Sequence, residues 1–414
     1  MWYPENNLTY YMFGKRSESS DEVITHWGEN GIRSVNFQPG RSHVKQLRKE
    51  WQTFAEKIDP YPDCYEGTGI VICGGGVKYF TCAWVNIHLL RRNGCVLPIE
   101  LWYSDEELTH EMIEVLQSLN VTCKDAAKLA VENVSGFVLK PIAILHSRFK
   151  EVLYLDADNT CTVDPTYLFY CDQYRSCGAV FWPDLWHTNR KNPIWKITGS
   201  DDYQSIEQES GQILINKEKC WRELNLCLYF NLNNHAYYKM LLGDKDTFKF
   251  AWKALRNEYY IIGTPVALCG YKQVRKNYFS RGVSLLQHDF EGNFIFIHRN
   301  LLKWDVTLDD EMVWGKIKRF ASSTTNRTFK PGLYDQEGEV RYYGLDIDGD
   351  VETLDFFGAF GDFEVVCLDI LKGLRQSDFY ARFLIHSYLT SCKPGYRELR
   401  HRRVGSTINL IYDE

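Results

Sequence analysis

Glu151-Val152-Leu153-Tyr154-Leu155-Asp156-Ala157-Asp158-Asn159 decides how this chain is read. Val152 to Leu155 form a buried-type strand that runs straight into two carboxylates one residue apart. An uncompensated buried charge is expensive, so the strand should end where the carboxylates begin. In an open α/β sheet that end is the edge where ligands sit. The spacing D-x-D recurs at Asp244/Asp246, Asp346/Asp348 and Asp348/Asp350, so the triplet alone selects nothing. Context separates the first pair from the others. Its alternative reading is two solvated turn carboxylates.

Working outward, Gly69 to Cys73 is a short apolar run followed by Gly74-Gly75-Gly76, and Tyr79 to Leu90 reads as a helix. Pro98 to Tyr103 is a second strand, Asp105 to Leu119 a second helix, and Val138 to Ser147 a third helix, which leads into the strand of the opening stretch. Further strands are expected at Ala179 to Trp182, Gly211 to Asn216 and Asn293 to Ile297, with helices around Lys217 to Phe230 and Asp246 to Leu255. Strands alternating with helices predict an α/β fold, a mostly parallel sheet covered on both faces. Residues 1–67 read as a polar flank with a helix near Val44 to Ile58, residues 68–305 as the domain that carries the motifs, and residues 306–414 as an appended C-terminal region. The triple glycine can bring backbone close to a phosphate, or it is a plain tight turn; it lacks the spacing of the dinucleotide fingerprint and the Lys of a P-loop.

Composition narrows the class. With 414 residues, 44% hydrophobic and 25% charged, the chain is an ordinary globular one. A net charge of -6 gives no general reason to bind nucleic acid. The best basic run, Arg397 to Arg403, reads equally as a solvated tail. The 26 Tyr and 12 Trp suit the stacking of rings on sugars or bases, although aromatics also fill cores. The 13 Cys show no C-x-x-C or zinc spacing, which fits a mostly reduced chain. Sequons at Asn7, Asn120, Asn133 and Asn326 do not settle the compartment. No apolar run approaches the ~20 residues of a membrane span. A cytoplasmic protein is expected as the sequence stands, with the Golgi lumen as the alternative if an N-terminal anchor has been removed.

Two hard oxygen ligands at a strand end suit Mn²⁺ or Mg²⁺ beneath a diphosphate. Such a site wants a third ligand and a nearby cation, and Phe294 to Trp304 offers both in His298 and Lys303. The acidic run Asp346 to Asp350 resembles the start of a calcium loop. It has Val351 where the turn needs Gly and Phe357 where the bidentate Glu belongs, and is expected to be a solvated loop.

The motifs Leu155-Asp156-Ala157-Asp158-Asn159, Phe181 to Trp186, Glu209-Ser210-Gly211-Gln212 leading into Ile213 to Asn216, and Gly243-Asp244-Lys245-Asp246-Thr247-Phe248 follow one another along the chain. They resemble the fungal α-mannosyltransferase family that elongates cell-wall mannan, a resemblance that covers about residues 69–305, with His298 to Trp304 as the closing segment. The last segment is also similar to the closing H-x-x-G-x-x-K-P-W motif of the glycogenin-like family, with Leu301 in place of the Gly and no Pro before Trp304. The resemblance implies the GT-A glycosyltransferase fold, a nucleotide-diphosphate sugar donor, a glycan acceptor and retention of anomeric configuration.

Residue by residue, the resemblance makes Asp156, Asp158 and His298 metal ligands and Lys303 a diphosphate contact. Lys140 matches a basic position near the donor. Asp244 matches an acidic position on the donor-sugar hydroxyls, where Lys245 replaces the Gln of the glycogenin-like relatives. Gly74, Gly75 and Tyr79 are candidate nucleotide contacts. Glu209 and Gln212 are candidates for the wall beside the transferred sugar or for a capped strand start; Trp182 and Trp186 platform an acceptor sugar or fill the core. GDP-mannose is the expected donor, with UDP-glucose, UDP-galactose or UDP-xylose as alternatives. The donor set is complete by Trp304, so residues 306–414 are expected to shape the acceptor side or an interface. The competing classes are a glycoside hydrolase with two carboxylates and a sugar-binding module without turnover.

Overall fold

Val152 to Leu155 are fully buried, and their side chains divide between the two faces of the sheet with the period of a strand. Leu153 and Leu155 join one apolar core together with Ile70, Ile72 and Leu214. Val152 and Tyr154 join the other, with Val71, Ile213 and Ile215. The computed structural model describes residues 23–129, 136–275, 278–321, 324–330 and 341–391. Arg397 to Arg403 and the sequons at Asn7 and Asn133 lie outside the described residues.

The strand Glu151–Asp156 is central in a seven-stranded sheet. Its spatial order is Tyr260–Ile261, Ala179–Pro183, Gln208–Asn216, Glu151–Asp156, Thr68–Cys73, Ile99–Tyr103, Val121–Asp125. The last four run parallel, while Gln208–Asn216 is antiparallel to both of its neighbours. The sheet is therefore mixed. One core is closed by the helix Gly76–Arg92 through Phe80, Val85 and Leu89. The other is closed by the helices Leu139–His146, Trp221–Leu232 and Lys245–Leu255. This is the helix-flanked α/β arrangement that the sequence predicts, and it agrees with the GT-A fold that the family resemblance implies.

A second sheet is antiparallel throughout. Its order is Val351–Asp355, Trp314–Phe320, Ala267–Tyr271, Gly282–His288, Phe294–His298, Asn159–Cys161. Asp156 ends a strand of the first sheet and Asn159 begins a strand of the second. The D-x-D turn is thus the joint between the sheets.

The expected helix Asp105 to Leu119 is two elements: a short 3-10 turn at Asp105–Glu107 and a helix His110–Gln117. Ser104 caps the first, and Thr109 starts the second by accepting from the Met112 amide, so the cap at Thr109 interrupts a continuous apolar pattern. Asp346 to Asp350 is solvated from Asp348 onward, as expected, but is not a loop. Asp346–Gly349 is a strand paired with Arg327–Lys330, and Asp346 accepts from Lys318 and Tyr271 at 2.8 and 2.9 Å.

The flanking regions are knitted into this frame. The helix Arg41–Glu56 buries Leu47, Trp51 and Ala55 in the second core. Ile32–Val35 pairs with His187–Thr188. From the C-terminal region, Trp314–Phe320 lies inside the second sheet, between Ala267–Tyr271 and Val351–Asp355. A chain cut near residue 310 would leave Ala267–Tyr271 as an open edge. Among the described residues every cysteine is a free thiol, and no helix is long and apolar enough to cross a membrane.

Candidate active site

Three ligand atoms, one each from Asp156, Asp158 and His298, lie within 4.8 Å of one another. Strand register brings them together: His298 pairs with Asn159, and the Arg299 amide donates to the Asp158 carbonyl at 2.9 Å. His298 Nε2 stands 3.3 Å from Asp158 and 3.9 Å from Asp156. Two carboxylates and an imidazole at this spacing suit a divalent ion such as Mn²⁺.

The other face of the imidazole is held. His298 Nδ1 lies 3.4 Å from Glu209, whose second oxygen accepts from the Gly211 amide at 2.7 Å. Gly211 is a packing requirement here, since a Cβ would come within 2.5 Å of His298 Nδ1. Burial alone would lower the basicity of His298, but Glu209 and Asp158 outweigh it and push its pKa up to about 10. Burial likewise disfavours ionised Asp158 and Glu209; Lys303 and His298 hold Asp158 well below the carboxylate range, and His298 with Lys140 holds Glu209 below it.

Two lysines flank the cluster, Lys140 buried and Lys303 half-buried. Lys303 pairs directly with Asp158. Lys140 reaches Asp156 at 3.1 Å, Asp244 at 3.0 Å, and the Ser210 carbonyl and hydroxyl at 2.9 and 3.0 Å. Burial would lower both, yet the facing carboxylates raise both above the usual lysine range. Asp244 is raised by burial in spite of Lys140. Lys140 therefore bridges Asp156, at the end of a strand, to Asp244, at the start of the helix Lys245–Leu255.

The remaining expected site residues fall at the same sheet edge with different surroundings. Cys73 pairs with Asp156 in parallel register, which places Gly74 and Gly75 beside the D-x-D turn. A Cβ on Gly75 would meet the Glu107 carboxylate at 2.1 Å, so the close approach this glycine permits is to a side chain of its own fold. Tyr79 is 43% exposed, and its ring centroid lies 5.7 Å from Lys303 Nζ. Gln212 is buried and accepts from Asn159 at 2.5 Å, beneath the D-x-D turn.

Trp182 and Trp186 are core residues and no acceptor platform. Trp182 is wholly buried, donates to the His288 carbonyl at 2.8 Å and packs edge-on to Phe296. Trp186 packs between Trp27 and Phe329. Lys245 is neutralised by Asp184 and Asp246, each at 2.9 Å, and Asp246 also pairs with Arg33.

Sequence reasoning missed Tyr154. The Tyr154 hydroxyl donates to Asp156 at 2.8 Å, which orients the first carboxylate. Its signal was available: two residues before Asp156 on a strand means the same face.

The mannosyltransferase family Mannosyl_trans3 matches residues 67–207 and 200–289. Similar proteins include the alpha-1,2-mannosyltransferase MNN24 of Candida albicans, 32% identical over 272 residues that cover 54% of this chain and 38% of the relative. MNN2 of Saccharomyces cerevisiae is 28% identical over 302 residues, covering 60% and 50%. The chain thus spans about half, or less, of the length of these relatives. Among solved structures, the glycosyltransferase GlyE of Streptococcus pneumoniae aligns with a TM-score of 0.34 at 18% identity, over 48% of this chain and 45% of that one. The galactosyltransferase LgtC gives 0.34 at 14% identity, over 51% and 75%. The match of the family, together with the ordered motifs that converge on Asp156, Asp158 and His298, establishes that the chain belongs to this mannosyltransferase family.

Proposed function

We propose that this chain is a metal-dependent, retaining glycosyltransferase that moves α-mannose from GDP-mannose to a hydroxyl of a glycan acceptor, with residues 68–305 as its catalytic domain. The observation that carries the reading is the convergence of Asp156, Asp158 and His298 between Lys140 and Lys303 in a member of a mannosyltransferase family. When bound, Mn²⁺ supplies charge neutralisation at the departing diphosphate. Asp156, Asp158 and His298 hold it; Tyr154 and Glu209 fix the orientation of Asp156 and His298.

Lys303 contacts the diphosphate, and Gly74, Gly75 and Tyr79 border the nucleotide at the same edge. Lys140 and Asp244 face the transferred sugar: the ammonium stabilises charge on the leaving oxygens, and the carboxylate accepts from a sugar hydroxyl. Both oxygens of Glu209 are engaged, one by His298 and one by the Gly211 amide, which supports attack of the acceptor on the donor face rather than a covalent sugar on Glu209. Gln212 supports the turn through Asn159.

The test is a donor screen with the full chain, Mn²⁺ and a mannose oligosaccharide, comparing GDP-mannose with UDP-glucose, UDP-galactose and UDP-xylose. The expected result is a mannosylated product with an α anomeric signal in proton NMR, abolished by chelation. A β product, or turnover unaffected by chelation, contradicts the mechanism; transfer from a UDP-sugar alone contradicts the donor.

A further inference from the structure

The loop that follows His298 is held from one side by a single helix of the C-terminal region. Arg299, completely buried, lies with its guanidinium carbon 4.0 Å from the ring centroid of Trp304 and 5.1 Å from that of Trp314. Its Nη2 donates to Thr307 at 2.9 Å, and Thr307 in turn donates to the Lys303 carbonyl at 2.9 Å. Its Nη1 faces Glu364 at 3.5 Å. Glu364 also accepts from the amides of Val313 and Trp314, at 2.7 and 3.0 Å.

Further along the same helix, Phe363–Arg375, the Arg375 Nη2 donates to the carbonyls of Trp304 and Asp305 at 3.2 and 3.0 Å, while Nη1 holds Asp309 at 2.7 Å. The helix thus grips the segment on both flanks of Lys303: through Arg299 before it and through the Trp304 and Asp305 carbonyls after it. Arg299 leads back to the metal cluster, because its own amide bonds the Asp158 carbonyl.

We infer that Glu364 and Arg375 are positioning residues for the diphosphate-binding loop, so that the C-terminal region sets nucleotide affinity without touching the nucleotide. This rests on the donor-site reading of Lys303 given above. A lysine on a four-carbon stem contributes to diphosphate binding only if its backbone is fixed where the ammonium meets the phosphates. The carbonyls of Trp304 and Asp305 are adjacent to Lys303, and a guanidinium that bridges both removes their freedom to rotate.

The experiment uses the full chain with Arg375→Ala, Arg375→Lys and Glu364→Gln. Arg375 is on the surface side of its helix, so its variants are the ones expected to fold; Glu364→Gln keeps the acceptor oxygen toward the amides. Calorimetry measures Mn²⁺ affinity alone, then GDP affinity at saturating Mn²⁺, and amide hydrogen exchange follows residues 299–309. Arg375→Ala should weaken GDP about 5- to 10-fold, the loss of one or two charge-assisted hydrogen bonds in a positioning role, while Mn²⁺ affinity stays within about 2-fold. Exchange should quicken in 299–309 and not in the strand Glu151–Asp156. Arg375→Lys, which can still donate to a carbonyl, should recover most of the affinity.

Unchanged GDP affinity and exchange in a folded Arg375→Ala protein would overturn the inference. Equal losses in Arg375→Ala and Arg375→Lys, accompanied by a lowered Tm and faster exchange throughout, would also overturn it by marking a merely structural role. If the unsubstituted chain binds no GDP, the donor-site reading falls, and the functional half of this inference with it.

Discussion

His298 stands directly opposite Asn159 in the antiparallel pairing of Phe294–His298 with Asn159–Cys161. That register sets the imidazole beside Asp158, and the next residue, Arg299, closes the pairing on the Asp158 carbonyl. The third candidate ligand of the cluster is therefore supplied by a sheet, on a strand whose alternate residues Ile295 and Ile297 are fully buried. A slip of one residue would point it to the other face.

His298→Ala should weaken Mn²⁺ by about 10-fold or more, since it removes a nitrogen ligand and leaves two carboxylates. Lys303→Ala should leave Mn²⁺ affinity intact or improved, because a cation beside Asp158 is lost, and should weaken GDP. Manganese titration by electron paramagnetic resonance separates the two. An unchanged titration in folded His298→Ala would make the histidine structural.

Glu209→Ala should cost about 10-fold in Mn²⁺ affinity, the size seen when a partner of a ligating histidine is removed, and Glu209→Gln less. A covalent nucleophile would behave otherwise. Its loss would abolish turnover with Mn²⁺ affinity intact, so the pair of measurements discriminates between an orienting and an attacking carboxylate.

Lys140→Met removes the cation that separates Asp156 from Asp244 and leaves a buried carboxylate, Asp244, close to the half-buried Asp156. The expected loss of stability is about 3 kcal/mol by denaturant unfolding, as for breaking a buried ion pair. The expected fall in kcat is about 100-fold, the range for deleting one electrostatic donor at a leaving group. Full activity in Lys140→Met would exclude a role at the donor.

His288 supplies a pH dependence away from the site. Its ring is buried against Phe294 with neither nitrogen partnered among the described residues, and burial, with Arg319 nearby, lowers its pKa from 6.5 to about 4. Between those values the unfolded chain binds a proton that the folded chain does not, so stability is present above 6.5 and lost as the pH falls towards 4. The contribution is roughly 3 kcal/mol at full loss. His288→Phe should flatten this part of the stability-pH curve; an unchanged slope would show that His288 takes a proton without cost.

Much of the frame was legible in local pattern. The apolar run before Asp156, the strand before Gly74 and the helix after it follow from burial periodicity, which is a property of neighbouring residues. The GT-A resemblance named Asp156, Asp158 and His298, and the structure brings them together. The helix at Asp105 was misread because its apolar spacing runs on across Thr109, whose side chain caps the Met112 amide and starts a second helix there. Trp182 and Trp186 could not be assigned from spacing, because a platform and a core residue look alike until their neighbours are known.

What the sequence determined by itself was the order of strands and helices and the point at which an apolar strand must surrender two carboxylates to the sheet edge. The tertiary structure alone decided which distant groups answer those carboxylates. Lys140 could have been a free basic residue, and is instead a bridge between Asp156 and Asp244; Glu209 faces His298, a neighbour that no spacing in the sequence indicates; Arg375 carried no motif, and grips the carbonyls beside Lys303. The physical reason is range. Side-chain periodicity reports burial within one element, whereas the partner of a buried charge is set by the register and packing of elements far apart in the chain, which depend on the burial summed over both cores.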